Sequence, residues 1–222
     1  MRVPVGMNRL AIETATNTCS IALETAHGVY VRSEADQRIH SKVLLPWVGE
    51  LLCDAGLGYD SLNAVVVGTG PGGFTSLRVG LSVAQGVALA HALPIYPVPT
   101  MLNIASGCPA GTSVLVVMDA RLGQVYAQGF EFDERTQQWA ALNDPSVCSP
   151  EALTWPDPRD GWVVMGSGLK IHEGALPDQL RREAVALWPE AEPCAERALA
   201  LADSSVAPWA LHAHYVRNQV TG

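Results

Sequence analysis

Two short stretches of this sequence carry the residue types that hold anions and metal ions in proteins. Gly70-Pro-Gly-Gly-Phe-Thr-Ser follows the apolar run Ala64-Val-Val-Val-Gly and precedes a long apolar segment. A glycine-rich turn between a strand and a helix presents backbone N–H groups, and the helix dipole adds partial positive charge. Gly70, Gly72, Gly73 and Thr75 are therefore candidates for holding a phosphate. The run lacks the Gly-Lys-Ser/Thr ending of a Walker loop, and any chain turning sharply out of a buried strand needs such glycines anyway. The second stretch, Glu13-Thr-Ala-Thr-Asn-Thr, sets an acid and several hydroxyls at a tight turn, which suits magnesium and phosphate oxygens, with Glu13 and Thr14 as candidates. No cofactor is required by the sequence; the structural reading of these stretches is the favoured one, and weak ATP, ADP or Mg2+ binding is the option they leave open.

Further constellations are thinner. Asp119-Ala-Arg-Leu-Gly is a second acidic turn with few glycines, read as a turn acid with an internal Asp119–Arg121 ion pair. Met165-Gly-Ser-Gly either admits a flat ring between strand and helix or is a glycine-rich strand exit. The six histidines include no His-x-x-x-His pair, His212-x-His214 lacks a third ligand, and no Gly-x-Ser-x-Gly elbow occurs. No catalytic residue and no metal ligand is assigned. The five cysteines, Cys19, Cys53, Cys108, Cys148 and Cys194, are odd in number and never spaced Cys-x-x-Cys, which points to a reducing compartment rather than a disulfide framework.

The elements that must position these groups follow from hydrophobic spacing. Leu10-Ala-Ile-Glu, Cys19-Ser-Ile-Ala-Leu-Glu and Val29-Tyr-Val-Arg are short apolar strands joined by turns too tight for a crossover, hence an antiparallel meander. A helix capped by Ser41 runs to a stop at Gly56, with a kink or frayed first turn expected from Pro46. The strand at residues 63–68, a helix from Thr75, a strand at Ile95-Tyr96 and a helix from Thr100 complete a ribonuclease-H-like order. From Ser113 the order repeats less clearly: strands at Val114–Met118, Gln124–Phe132, Trp139–Leu142 and Trp162–Met165, and helical segments near Pro150, at Asp178–Leu187 and at Ala195–Ala202. The Pro-rich stretch 148–161 reads as an exposed connector. The expected fold is α/β and actin-like (the ASKHA type), with two ribonuclease-H-like halves, 7–108 and 109–222, the second shortened.

At 222 residues, 48% hydrophobic and only 16% charged, the chain must bury a substantial core. A formal net charge of −8 repels phosphate backbones, so direct nucleic-acid binding is not expected. The N-terminal residues, with one Arg before Met7, do not read as a secretory signal, and Met7 is an alternative start. Leu77–Leu93 carries Arg78, Ser82, Gln85 and His91, a buried helix rather than a membrane span. Both long helices are apolar on more than one side. One stripe of each belongs to the core; a second is the pattern left by a subunit contact, drawn from Leu44, Leu45, Val48, Leu52, Leu77 and Val83.

Five of these motifs in this order resemble the bacterial TsaB (YeaZ) family of tRNA threonylcarbamoyladenosine biosynthesis. They are Leu10-Ala-Ile-Glu-Thr-Ala-Thr with Cys19-Ser-Ile-Ala-Leu, His40-Ser41 with Leu44-Leu-Pro, Gly70 to Gly80, Asp119-Ala-Arg-Leu-Gly-Gln-Val-Tyr, and Tyr215-Val-Arg-Asn. The sequence departs from the family pattern in Glu13 for Asp, in Gly73 and Ser76 for Ser and Gly, and in Gln124 for Glu. The resemblance implies an accessory subunit without activity alone. It would pair with a TsaD-like catalytic subunit, recruit a TsaE-like ATPase, meet tRNA only through that complex, and form a homodimer when alone. The complex transfers a threonylcarbamoyl group to N6 of adenosine 37 in tRNAs reading codons that begin with A. The implied location is the cytoplasm, away from membranes. The alternative reading is a small actin-like ATPase or kinase acting by itself.

Overall fold

The computed structural model describes residues 6–36, 38–155, 161–188 and 192–216. Two compact units emerge: the described residues of Met1–Asn103 with Pro193–His214, and those of Ile104–Glu192 with Tyr215–Gly222. Each is built on one sheet.

The first unit opens with the expected meander, β1 (Arg9–Glu13), β2 (Cys19–Thr25) and β3 (Gly28–Glu34). Then come α1 (His40–Asp54), β4 (Ala64–Gly68), α2 (Phe74–Ala90), β5 (Ile95–Val98) and the first four residues of α3 (Thr100–Ala105). Its strand order is β3-β2-β1-β4-β5, with β1 antiparallel to β2 and parallel to β4. The register pairs Leu10 with Leu23 and Ile12 with Ile21, and their side chains join Leu44, Val48, Leu51 and Leu77 in one core. Because successive side chains on a strand point to opposite faces, the intervening Ala11, Ala22 and Val66 face the other way. They pack against α6 (Ala195–Leu201), whose Ala195 and Ala198 let it lie close.

That helix belongs to the far end of the sequence, so the expected boundary at 108/109 misses a return of the chain to the first unit. Polar ties hold the return: fully buried Asn103 donates from Nδ2 to the Cys194 carbonyl (2.8 Å) and accepts from the Cys194 N–H (3.2 Å). Arg9 Nη1 donates to the Leu199 carbonyl (3.0 Å).

α1 begins two residues earlier than expected, with Ile39 as N-cap and no side-chain cap bond; Ser41 is therefore inside the helix and does not cap it. The helix runs unbroken through Pro46, whose ring nitrogen has no hydrogen to donate to the preceding turn. Gly56, at φ +67, ends it as expected.

The second unit repeats the pattern with β6 (Ser113–Arg121), β7 (Gln124–Asp133) and β8 (Gln138–Ala141). β9 (Ser146–Cys148), β10 (Trp162–Met165), α4 (Gly168–Ile171), α5 (Asp178–Glu183) and β11 (Ala186–Trp188) follow. The order is β11-β10-β6-β7-β8, with β9 on β7. The segment near Pro150 is a 3-10 turn, and the helix expected over Asp178–Leu187 ends at Glu183. Trp162 is the largest buried side chain and stacks on Trp155, ring centroids 5.6 Å apart. Part of the expected connector, 156–160, lies outside the described residues, as do Met1 and the Arg-Asn end of the last family motif.

Candidate functional site

The structure brings Glu13 and Thr14 together with the glycine loop, and shows what each group does there. β1 ends in Glu13, fully buried, whose Oε1 accepts the Ala15 N–H at 2.9 Å and whose Oε2 accepts the Thr100 hydroxyl at 3.2 Å. Thr100 Oγ1 in turn accepts the Gly70 N–H at 3.1 Å. The Gly73 N–H donates to the Ala15 carbonyl (2.7 Å), and the buried Thr14 hydroxyl donates to the Ser76 carbonyl (2.8 Å).

The missing side chains of the glycines explain why the hairpin can sit so close. A Cβ on Gly68 would overlap the Glu13 carboxylate, one on Gly72 the Ala15 carbonyl, and one on Gly80 the Thr14 hydroxyl. The space the glycines leave is thus taken by this chain's own hairpin, and the Gly73 N–H is already bonded. Thr75, by contrast, is exposed on the second residue of α2 and takes no part in this network. The arrangement is a polar brace that ties the end of β1 to the loops after β4 and β5.

A second polar cluster lies at the β6–β7 turn. The expected ion pair forms, Arg121 Nη1 to Asp119 Oδ2 at 3.1 Å, and the Arg121 N–H also donates to Asp119 Oδ1 (3.0 Å). The structure adds His172, whose Nε2 lies 3.1 Å from Asp119 Oδ1. Nothing in the sequence signals that partner, 53 residues away on a loop after α4. Gly166, at φ +112, and Gly168 sit where a Cβ would strike the backbone of Val117, so Met165-Gly-Ser-Gly is a strand exit built for close packing. Among the described residues no group of three or more His, Cys, Asp or Glu is placed to hold a metal ion.

The subunit-contact residues divide. Leu44, Val48, Leu52 and Leu77 are at most 3% exposed and belong to the core over β1 and β2, so they cannot face a partner. Spacing could not separate the stripes because both are equally apolar; burial chooses the one facing the sheet. Leu45 and Val83 remain. With Tyr59, Gly86 and His91 they line an open, apolar groove of about 430 Å3 between α1 and α2. Leu45 is 53% exposed. At the rim, His91 stacks on Tyr59 with centroids 5.5 Å apart and bonds Asp60 through Nδ1 (3.0 Å), which fixes one wall.

A groove beside a sealed glycine loop on a ribonuclease-H-like unit invites comparison with known proteins. Residues 20–161 match the family model of TsaD, tRNA N6-adenosine threonylcarbamoyltransferase. The Escherichia coli tRNA threonylcarbamoyladenosine biosynthesis protein TsaB is 34% identical over 193 residues, covering 84% of this chain and 83% of that protein. The chain belongs to the TsaB (YeaZ) family. The Haemophilus influenzae TsaB protein is 31% identical over 96% of the chain and 94% of its own length. The solved structure of YeaZ from Pseudomonas aeruginosa superposes with a TM-score of 0.82 at 28% identity, covering 94% of this chain and 99% of that one. The fold of the solved YeaZ structures is thus the fold found here.

Proposed function

We propose that this chain is the non-catalytic scaffold of the tRNA threonylcarbamoyladenosine transferase complex, and that it pairs with a TsaD-like catalytic subunit through the α1–α2 groove. The observation that carries the reading is the groove itself: it is walled by the exposed Leu45 and the half-buried Val83, on helices whose other stripes are committed to the core. Leaving such a surface in water is unfavourable, and covering it with a helix of a partner removes that cost. Membership of the TsaB family supports the assignment to this biosynthesis.

The polar brace around Glu13 supports a structural role for the glycine loop and tells against an independent ATPase, since the Gly73 N–H is bonded to the hairpin, the Gly70 N–H to Thr100, and the hairpin fills the space beside Gly68, Gly72 and Gly80. A TsaE-like ATPase then joins the assembled pair, tRNA is met through the complex, and without its partner the chain covers the groove with a second copy. Among the described residues no helix is long and apolar enough to cross a membrane, which fits the cytoplasmic setting of such a complex.

Size-exclusion chromatography of the chain mixed with purified TsaD from the same organism tests the reading. Co-elution is expected for the native chain and its loss for Val83→Arg, with an unchanged circular dichroism spectrum. Co-elution that survives Val83→Arg would contradict the assignment of the groove.

A further inference from the structure

The segment after α6 carries an aromatic side chain that this chain's own core does not use. Beyond Val206, whose backbone bridges to Ile95, a 3-10 turn at Pro208–Ala210 packs on α2. Gln85 Nε2 donates to the Pro208 carbonyl at 3.0 Å. On the far side of the turn Leu211 is buried, and the His214 N–H donates to the Thr69 carbonyl at 2.7 Å. Between these ties Trp209 stands 77% exposed. The turn is therefore held firmly while its largest side chain is presented to solvent. Tryptophan is among the residues most enriched where a few contacts dominate binding.

Its position relates it to the groove. Ser82 and Gly86 form the exposed ridge of α2, and a Cβ on Gly86 would meet nothing within 4 Å. At about 100° per residue, Val83 and Leu89 fall about 60° to either side of Gly86. Val83 faces the groove; Leu89, 57% exposed, lies on the flank shared with Gln85, which holds the Trp209 turn. A ridge this low lets a partner surface seated in the groove approach α2 closely and reach across it. A stable interface takes about 800 Å2 from each partner, and the exposed Leu89 and Trp209 add apolar area on the flank of α2 opposite Val83.

We propose that Trp209 is a binding anchor for the same TsaD-like subunit that fills the groove, engaged from the opposite flank of α2. The proposal rests on the reading of the groove given above and extends its footprint to the segment that returns from the end of the chain.

Isothermal titration with purified TsaD from the same organism, applied to the native chain, Trp209→Ala, Leu89→Ala and Val83→Arg, separates the two statements. Trp209→Ala is expected to weaken binding about 10- to 100-fold with an unchanged Tm, because the side chain it removes is exposed; Leu89→Ala has a smaller effect. Subtracting the fluorescence of Trp209→Phe from that of the native chain isolates Trp209, and its emission should shift to the blue when TsaD is added. If Trp209→Ala binds as the native chain does while Val83→Arg fails, the groove reading stands and the anchor is wrong. If neither substitution matters, the groove reading falls and takes the anchor with it. If Trp209→Ala abolishes only self-association, the occupant is a second copy and the proposal is overturned.

Discussion

α2 serves two regions of the first unit that look alike in composition and differ in what fills them. At its N-terminal end the glycine loop is packed from within: Thr14, Ala15 and the Glu13 carboxylate occupy the space beside Gly80, Gly72 and Gly68. Along its outer side the groove is walled by Leu45 and Val83 and left open. The glycine motif is braced from within the chain, and the apolar stripe that looked most like core is, over part of its width, surface. What distinguishes them is what meets their groups: the Gly70 and Gly73 N–H groups and the space beside the glycines are taken up within the chain, while apolar area is uncovered at the groove.

Charge placed on the two stripes of α1 gives the widest separation. Val48→Asp buries an unpaired charge where the side chain is 0% exposed, a cost on the order of 3–5 kcal/mol, and thermal unfolding followed by circular dichroism should show a large drop in Tm or no cooperative transition. Leu45→Asp, one turn back on the other stripe, should leave Tm nearly unchanged. Similar losses for both would erase the distinction between core and surface on this helix.

The loop should respond to crowding rather than to loss of a ligand. Gly68→Ala forces a methyl group into the Glu13 carboxylate, with overpacking expected to cost about 1–3 kcal/mol. Denaturant unfolding should show the loss in the absence of any nucleotide, and Glu13→Ala in the same chain should make Gly68→Ala less costly. Removal of one buried bond in the brace, as in Thr100→Val, should cost about 1–3 kcal/mol. A glycine loop shaped only for phosphate would tolerate the alanine without ligand.

The smallest effect concerns the link between the two regions. His40, at the start of α1, is 2% exposed and bonds the Asn17 carbonyl of the hairpin through Nε2 at 3.1 Å, while Nδ1 has no hydrogen-bond partner among the described residues. Burial pushes its pKa below the ordinary value, against the opposing pull of the Asn17 carbonyl and the Asp36 charge. The folded state then binds the proton less readily than the unfolded state, so stability is complete above about pH 6.5 and declines as pH falls toward the folded pKa. A Tm lower at pH 5.5 than at pH 7.5, with the difference reduced in His40→Gln, is expected; an unchanged difference would remove His40 from this account.

Much of the fold was legible because local physics decides it. The tight turns between β1, β2 and β3 leave only an antiparallel meander, and the run Ala64–Gly68 is apolar on both faces because helices cover both. β9 and β11 escaped reading since strands of three residues have no period. The return of 193–214 to the first unit escaped because its determinants are long-range, Asn103 to Cys194 above all. At the site, Glu13, Thr14, Gly70, Gly72 and Gly73 were recognisable as a group. Their purpose was not, because whether a glycine leaves room for a ligand or for a neighbouring strand depends on what lies opposite. The same holds for Leu44 and Leu45, adjacent in sequence and indistinguishable in hydrophobicity, of which one is 1% and the other 53% exposed.

Hydroxyl-radical footprinting of the native chain, alone, with ATP and Mg2+, and with TsaD, compares both regions in a single measurement. The account predicts that TsaD lowers oxidation of Leu45, Tyr59 and His91 several-fold and that ATP with Mg2+ changes none of them, nor the exposed Phe74 beside the glycine loop. Protection of Phe74 by nucleotide, with Leu45 and Tyr59 indifferent to TsaD, would contradict it.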